Sequence, residues 1–247
     1  MIDEREMVGA ILAGGDSSRM GTDKALLELG RSTLIGYVAE ALTSVFQRVM
    51  VISNVPIKYS FLNLPTYPDI FHNCGPLGGI HSSLVHTASE RVFVVSCDTP
   101  YITHALLTYL ASSANDTDAA VPTSEGRIHP LCAIYARRAL STITDQLQRQ
   151  QLRLLDLLQH LRTKYIPITP DLPFYTPQLL TNINTPHDFK ASLRNLPPIP
   201  QTHQLPHVAQ SLRSSDENPT NAQTSPRNAS LRGLIDAEPR RTTFRGR

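Results

Sequence analysis

The residues best placed to do chemistry gather at three points of the 247-residue chain. The first follows the apolar run Met7 to Leu12 and reads Ala13-Gly14-Gly15-Asp16-Ser17-Ser18-Arg19-Met20-Gly21-Thr22-Asp23-Lys24. Two adjacent glycines after a strand allow positive φ and let backbone N–H groups approach an anion with no Cβ in the way. Arg19 and Lys24 add two cations within the same excursion. Backbone donors plus two cations suit a polyphosphate. The string is neither a P-loop, since Lys24 is followed by Ala25, nor a G-x-G-x-x-G turn. The second point is Ser96-Cys97-Asp98-Thr99-Pro100, which puts a carboxylate at the end of a buried run. Asp98 could cap the helix that follows, but Thr99 or Thr103 can do that instead. The third, Gly75-Pro76-Leu77-Gly78-Gly79, opens a helix with unpaired N–H groups and a close backbone approach.

These points need a scaffold, and the apolar pattern supplies one. Apolar runs alternate with amphipathic stretches, the pattern of parallel strands joined by crossover helices. Strands are expected at 7–12, 48–52, 65–67, 91–97, 118–121 and 132–135. Helices are expected at 34–45, 77–85, 102–110, 140–147, 152–161 and 186–193, the first from apolar residues at 34, 35, 38, 41, 42 and 45. The apolar period slips around 148–151, which predicts a break there. Tyr165-Ile166-Pro167-Ile168 is expected as a late edge strand, because its proline cannot donate to a ladder. The fold class is α/β: a three-layer open, mostly parallel twisted sheet with helices on both faces. Ligands of such sheets collect outside the carboxyl ends of the strands, where the Gly14 loop and Asp98 both fall.

Composition sets the outer bounds. Net charge is +2 from 23 Lys+Arg and 21 Asp+Glu, too balanced for a dedicated nucleic-acid binder. No run approaches the ~20 apolar residues of a transmembrane helix. The opening Met1-Ile2-Asp3-Glu4-Arg5-Glu6 is too acidic for a secretory leader, so the expected location is cytoplasmic. Cys74, Cys97 and Cys132 have no C-x-x-C spacing, which disfavours a disulfide framework or a zinc site. His72 lacks a metal partner at a suitable spacing and is expected in a surface loop. The domain is expected to span residues 1–195. Residues 196–247 hold 7 of the 19 prolines and one aromatic, Phe244, and carry +3, leaving −1 on the rest. Such a segment buries too little apolar surface to offset its ordering entropy and is expected to be a disordered tail. Its one alternative role is a basic arm that touches a partner.

Taken as a string, Leu12-Ala13-Gly14-Gly15-x-Ser17-x-Arg19-Met20-Gly21-x-Asp23-Lys24 resembles the signature of the molybdenum cofactor guanylyltransferases, within the nucleotidyltransferases of Rossmann-like fold. Gly75-Pro76-Leu77-Gly78-Gly79, Cys97-Asp98-x-Pro100, Arg127-Ile128-His129-Pro130-Leu131 and Asn182-Ile183-Asn184-Thr185-Pro186 follow in that family's order. The resemblance covers Val8 to about Arg194. It implies transfer of GMP from GTP to the terminal phosphate of molybdenum-bound molybdopterin, with diphosphate released. By the same resemblance Arg19, Lys24 and Asp98 are catalytic, and Asp98 holds Mg²⁺. Leu12, Ala13, Gly14, Gly15, Lys24, Asn54, Asp69, Gly78 and Asp98 bind the nucleotide, and His129, Asn182 and Asn184 lie on the molybdopterin side. Asn182 and Asn184 also fit plain turn and cap chemistry before Pro186. Implied partners are GTP, molybdopterin, and molybdoenzyme apo-proteins or cofactor-delivery proteins. A CTP-using cytidylyltransferase, a sugar-phosphate nucleotidyltransferase and a non-catalytic GTP-binding delivery module remain as alternatives. Gly14, where CTP users tend to carry alanine, leaves room for a purine and favours guanine.

Overall fold

The computed structural model describes residues 7–14, 23–114 and 116–197. Arg19, Gly15 and the tail from 198 onward lie outside the described residues. Chain order is β1 (Val8–Leu12), a hairpin of β2 (Glu28–Leu29) and β3 (Ser32–Thr33), α1 (Leu34–Thr43), β4 (Arg48–Ile52), β5 (Thr66–Tyr67), α2 (Gly75–Val85) and β6 (Arg91–Ser96). Then come α3 (His104–Ser113), β7 (Ala119–Ser124), β8 (Arg127–Ile128), β9 (Cys132–Ala136), α4 (Leu140–Gln148), α5 (Leu154–His160), β10 (Thr163–Pro167) and α6 (Pro186–Ser192).

The main sheet runs β10-β7-β9-β6-β1-β4-β5, with β8 paired to β7. Strand β1 is buried along its whole length and lies between β4 and β6, parallel to both. Its alternate side chains feed two cores. Ile11 joins Phe93, Val95 and Ile134 under α1 and α3, whereas Val8, Ala10 and Leu12 join Val92, Val94 and Tyr135 under α2, α4 and α5. This two-sided burial is why β1 and β6 read as continuous apolar runs rather than alternating ones. It also makes the three layers expected from the pattern.

Chain order reverses at β1: β4 and β5 extend the sheet one way, and β6 returns to its other side. The carboxyl ends of β1 and β6 are therefore neighbours, with Leu12 in register with Ser96, which is where open α/β sheets bind ligands. One strand departs from the parallel set. Strand β9 runs antiparallel to both β6 and β7. Its amino end, with the preceding His129-Pro130-Leu131, consequently lies at the same sheet edge as the carboxyl ends of β1 and β6. Ser96 N donates to Leu131 O at 2.9 Å and extends the ladder into that segment. Pro167 sits on the edge strand β10, as its missing N–H requires.

Candidate functional site

The carboxyl end of β1 is stitched to both neighbours. Ala13 N donates to Ile52 O at 3.0 Å, and Cys97 N donates to Leu12 O at 3.1 Å. Gly14 stays outside the left-handed region, so the positive φ expected of this loop is not used there. What Gly14 supplies is space: a Cβ on it would lie 3.6 Å from Asp69 Oδ2. Beyond the loop, the Asp23 side chain caps a single 3₁₀ turn, Lys24–Leu26, by accepting from Ala25 N at 3.2 Å. That cap fixes where Lys24 starts, and its ammonium donates to Asp98 Oδ2 at 2.7 Å and to Asn184 Oδ1 at 2.9 Å.

Asp98 is 6% exposed and is fastened from three sides. Ser96 Oγ donates to its Oδ1 at 2.6 Å, Lys24 holds Oδ2, and Ile183 N donates to its backbone oxygen at 2.9 Å. Capping of α3 falls to Thr103, whose hydroxyl accepts from Leu106 N at 3.2 Å. The carboxylate is thus released from the capping role that its position in the sequence left open. Burial, with the Asp98 charge adding to it, pushes the adjacent Cys97 thiol up to about 12, which leaves it protonated and poorly nucleophilic at neutral pH.

On one side of this contact a cavity of about 480 Å³ is lined by Leu12, Ala13, Gly14, Asn54, Asp69 and Gly79, among others. Asn54 and Asp69 hold each other reciprocally: Asn54 Nδ2 donates to Asp69 Oδ2 at 3.0 Å, and Asp69 N donates to Asn54 Oδ1 at 2.9 Å. Asp69 Oδ1 is buried without a hydrogen-bond partner. Burial raises the Asp69 carboxyl above the ordinary range, against the opposing effect of the Asn54 bond. The adjacent glycines Gly78 and Gly79 of α2 divide their work. A Cβ on Gly78 would come within 2.8 Å of the Phe71 carbonyl, so Gly78 lets the 69–74 loop pack on the helix, while Gly79 is the one at the cavity wall.

On the other side, about 490 Å³ is enclosed by Glu125, Arg127, His129, Asn182, Asn184 and Asp188 together with the 176–181 segment. Ile183 is fully buried with Leu29, Leu34, Tyr37 and Tyr101. This anchor fixes the stretch that carries Asn182 and Asn184 along the cavity. The cap of α6 is made by Thr185 and Asp188 in a reciprocal box, so the Asn184 side chain is spared for Lys24. His129 lies in this cavity, its imidazole pushed down by burial and by Arg127. A small chamber of about 150 Å³, lined by Leu12, Ala13, Gly14, Lys24, Ser96 and Asp98 among others, shares its first three walls with the first cavity, and its Lys24 reaches Asn184 of the second.

Residues 9–164 match the model of the MobA-like NTP transferase domain. The chain belongs to that family. Two curated relatives carry the name "Probable molybdenum cofactor guanylyltransferase". The one from Carboxydothermus hydrogenoformans is 34% identical and covers 75% of this chain and 94% of its own length. The one from Pelotomaculum thermopropionicum is 34% identical and covers 74% and 90%. Among solved structures, molybdopterin-guanine dinucleotide biosynthesis protein A from Archaeoglobus fulgidus superposes with a TM-score of 0.65 at 26% identity, covering 76% of this chain and 97% of that one. As a MobA-like NTP transferase the protein is a nucleotidyltransferase.

Within this MobA-like site, hard oxygen donors gather about the Lys24 ammonium: the Asp98 carboxylate, with the Ser96 hydroxyl on its other oxygen, and the Asn184 amide oxygen. They fit a hard divalent cation. Among the described residues no group of three or more His, Cys, Asp and Glu could enclose a metal. A cation here would therefore draw its remaining ligands from substrate phosphate and water, as Mg²⁺ does. No helix among the described residues is long and apolar enough to cross a membrane.

Three contributors went unread in the sequence. Tyr59 and Lys58, from the 3₁₀ segment Pro56–Leu62, line the first cavity. Tyr59 OH lies 3.2 Å from Asp23 Oδ2 and 3.3 Å from Ala13 O, and Lys58 Nζ donates to Asp23 Oδ2 at 3.1 Å. The third is Ser96. It closes β6 while Asp98 lies in the turn just beyond, and the two-residue spacing across that turn lets its hydroxyl reach back to the carboxylate. His72 is exposed, as expected of a loop residue.

Proposed function

We propose that this nucleotidyltransferase moves GMP from GTP to the terminal phosphate of molybdenum-loaded molybdopterin, giving molybdopterin guanine dinucleotide and diphosphate. The observation that carries the reading is the Lys24 ammonium, which lines a small chamber continuous in its walls with the first cavity through Leu12, Ala13 and Gly14 and bonds Asp98 together with Asn184 of the second cavity. A dinucleotide product needs two chambers with the reacting phosphates at their seam. GTP is assigned to the cavity of Gly14, Asn54 and Asp69, and molybdopterin to that of His129, Asn182 and Asn184.

A phosphate oxygen of molybdopterin forms a bond to the α-phosphorus, and the bond from that phosphorus to the bridging oxygen breaks. The electron pair leaves with diphosphate. A phosphate monoester has a second pKa of about 6, so the attacking group is already ionised at neutral pH and needs no base. The obstacle is charge, since one anion must approach another. Lys24 offsets that charge at the seam, and the Ala13–Gly14 backbone lets phosphates come close. Asp98 and the oxygens beside it would hold Mg²⁺, which when bound neutralises phosphate charge and polarises the phosphoryl group. Asn184 steadies Lys24 from the molybdopterin side, so that attacker and leaving group are aligned when both chambers are filled.

The test is mass analysis of the product formed from GTP, Mg²⁺ and molybdenum-loaded molybdopterin, with CTP as an equimolar competitor. The guanine dinucleotide and one diphosphate per turnover are expected. Preferred incorporation of cytosine, or GTP binding with no diphosphate released, overturns the proposal.

A further inference from the structure

Beyond offering an oxygen near the cation, Ser96 makes a bond to Asp98 whose part in the reaction is still unassigned. It lines the seam chamber and donates to Asp98 Oδ1 at 2.6 Å, the length of a charge-assisted O–H···O⁻ bond. We propose that Ser96 is a positioning residue that fixes the plane of the Asp98 carboxylate by holding Oδ1, so that Oδ2, the oxygen on Lys24, stays directed into the chamber where a phosphate-bound cation would be held. The inference rests on the reading of Asp98 as the residue that holds a divalent cation.

Three features support it. The terminal torsion of an aspartate is soft and roughly two-fold, so backbone placement alone does not set the direction of its oxygens. Ser96 is itself rigid: it is in register with Leu12 and donates its N–H to Leu131 O. A fixed hydroxyl at hydrogen-bond distance therefore supplies the orientation that the torsion lacks. The bond also has no competing structural duty, because Thr103 caps the following helix and Ile183 holds the Asp98 backbone. Without the hydroxyl, Asp98 Oδ1 loses its donor in a pocket that leaves the residue 6% exposed. The carboxylate would then turn or accept a water, and either outcome degrades the cation site.

The experiment measures Mn²⁺ binding by electron paramagnetic resonance. A GTP analogue with a methylene between the α- and β-phosphorus is present, so no turnover occurs. Ser96→Ala is expected to weaken Mn²⁺ about 10-fold, the scale on which partners of metal ligands act. It should raise the Mg²⁺ concentration for half-maximal turnover by the same factor and leave the melting temperature near that of the parent. Ser96→Thr, which keeps the hydroxyl, restores Mn²⁺ binding. Ser96→Cys, close in size but a poor donor, reproduces the loss and serves if the alanine variant does not fold. Parent-like Mn²⁺ binding in Ser96→Ala or Ser96→Cys, with Asp98→Asn abolishing it, overturns the role of Ser96 alone. Mn²⁺ binding retained by Asp98→Asn overturns the reading of Asp98, and the role of Ser96 with it.

Discussion

The two cavities are nearly equal in size but are built differently. The first rests on strand ends and a helix start tied into the sheet, with Leu12 and Ile52 as buried ladder residues and α2 entering through Gly75, Pro76 and Gly79, and is flanked by the 53–59 and 69–73 segments. The second is walled by the β7–β8 turn and by the 176–184 stretch, which has no regular secondary structure and is anchored by Leu179, Leu180 and Ile183. A chamber fixed by the sheet can hold a ligand in one pose. A chamber of loops adapts more readily and tolerates change better. The difference suits a donor nucleotide that must be aligned for in-line attack and an acceptor that is presented to it.

Substitution at the seam should hit both sides at once and produce the largest effect. Asp98→Asn is expected to lower kcat/KM by roughly 10³-fold, by the same factor whether GTP or molybdopterin is varied. Diphosphate release measured against each substrate in turn checks this. A loss confined to one substrate would place Asp98 in one chamber rather than between them.

Gly14→Ala tests the sheet-built side. The added Cβ would meet Asp69 Oδ2 at 3.6 Å, an ordinary contact, and Gly14 needs no left-handed φ, so the fold should persist. The methyl instead takes room from the base. Turnover with GTP is expected to drop about 10-fold, the cost of a misfit of one or two methylenes, and the GTP-to-CTP ratio should fall with it. The KM for molybdopterin should not move.

The loop-built side separates its two asparagines. Asn182→Ala should raise the KM for molybdopterin about 5-fold, the scale of one lost neutral hydrogen bond, with the GTP parameters unchanged. Asn184→Ala removes the oxygen that accepts from Lys24, so it should lower kcat as well. If the two variants behave alike, the link from Asn184 to Lys24 has no kinetic role.

This contrast also explains what the amino-acid pattern could and could not reveal. Strands β1 and β6 were legible because burial on both faces makes an uninterrupted apolar run. Lys24 and Asp98 were legible because they sit at fixed distances from the ends of those runs. Strand β9 was found as a strand but not as an antiparallel one, since the residues Cys132 to Ala136 read the same in either direction of pairing. The placement of His129 in the second cavity, at the sheet edge where β1 and β6 end, follows from that direction, so it was available only through resemblance. Tyr59 and Lys58 lie in a 3₁₀ segment with neither a helical nor an alternating period, and nothing local marks them as lining the cavity. Gly78 and Gly79 are adjacent and carry no side chain, so only the position of the Phe71 carbonyl tells their tasks apart.

The smallest expected effect comes from Asp69, the half-buried carboxylate of the first chamber, and concerns stability. Burial raises the Asp69 carboxyl above its ordinary value, so the folded protein holds that proton more tightly than the unfolded chain does. A raised carboxyl contributes stability below its ordinary range and loses it as pH climbs through the raised value, so near pH 7 the ionised Asp69 costs the empty enzyme stability. Asp69→Asn removes that cost while an amide oxygen can still accept from Asn54 Nδ2. The variant should melt slightly higher than the parent at pH 7 without nucleotide, and the gain should vanish as pH falls below about 4, near the unperturbed carboxylate value. Saturating GTP should reverse the order, because the parent can offer the nucleotide Asp69 Oδ1, which has no hydrogen-bond partner within the protein. Melting curves with and without GTP across that pH range measure both signs. A variant no more stable than the parent at pH 7 would mean that the sheet-built chamber carries no stored cost at Asp69.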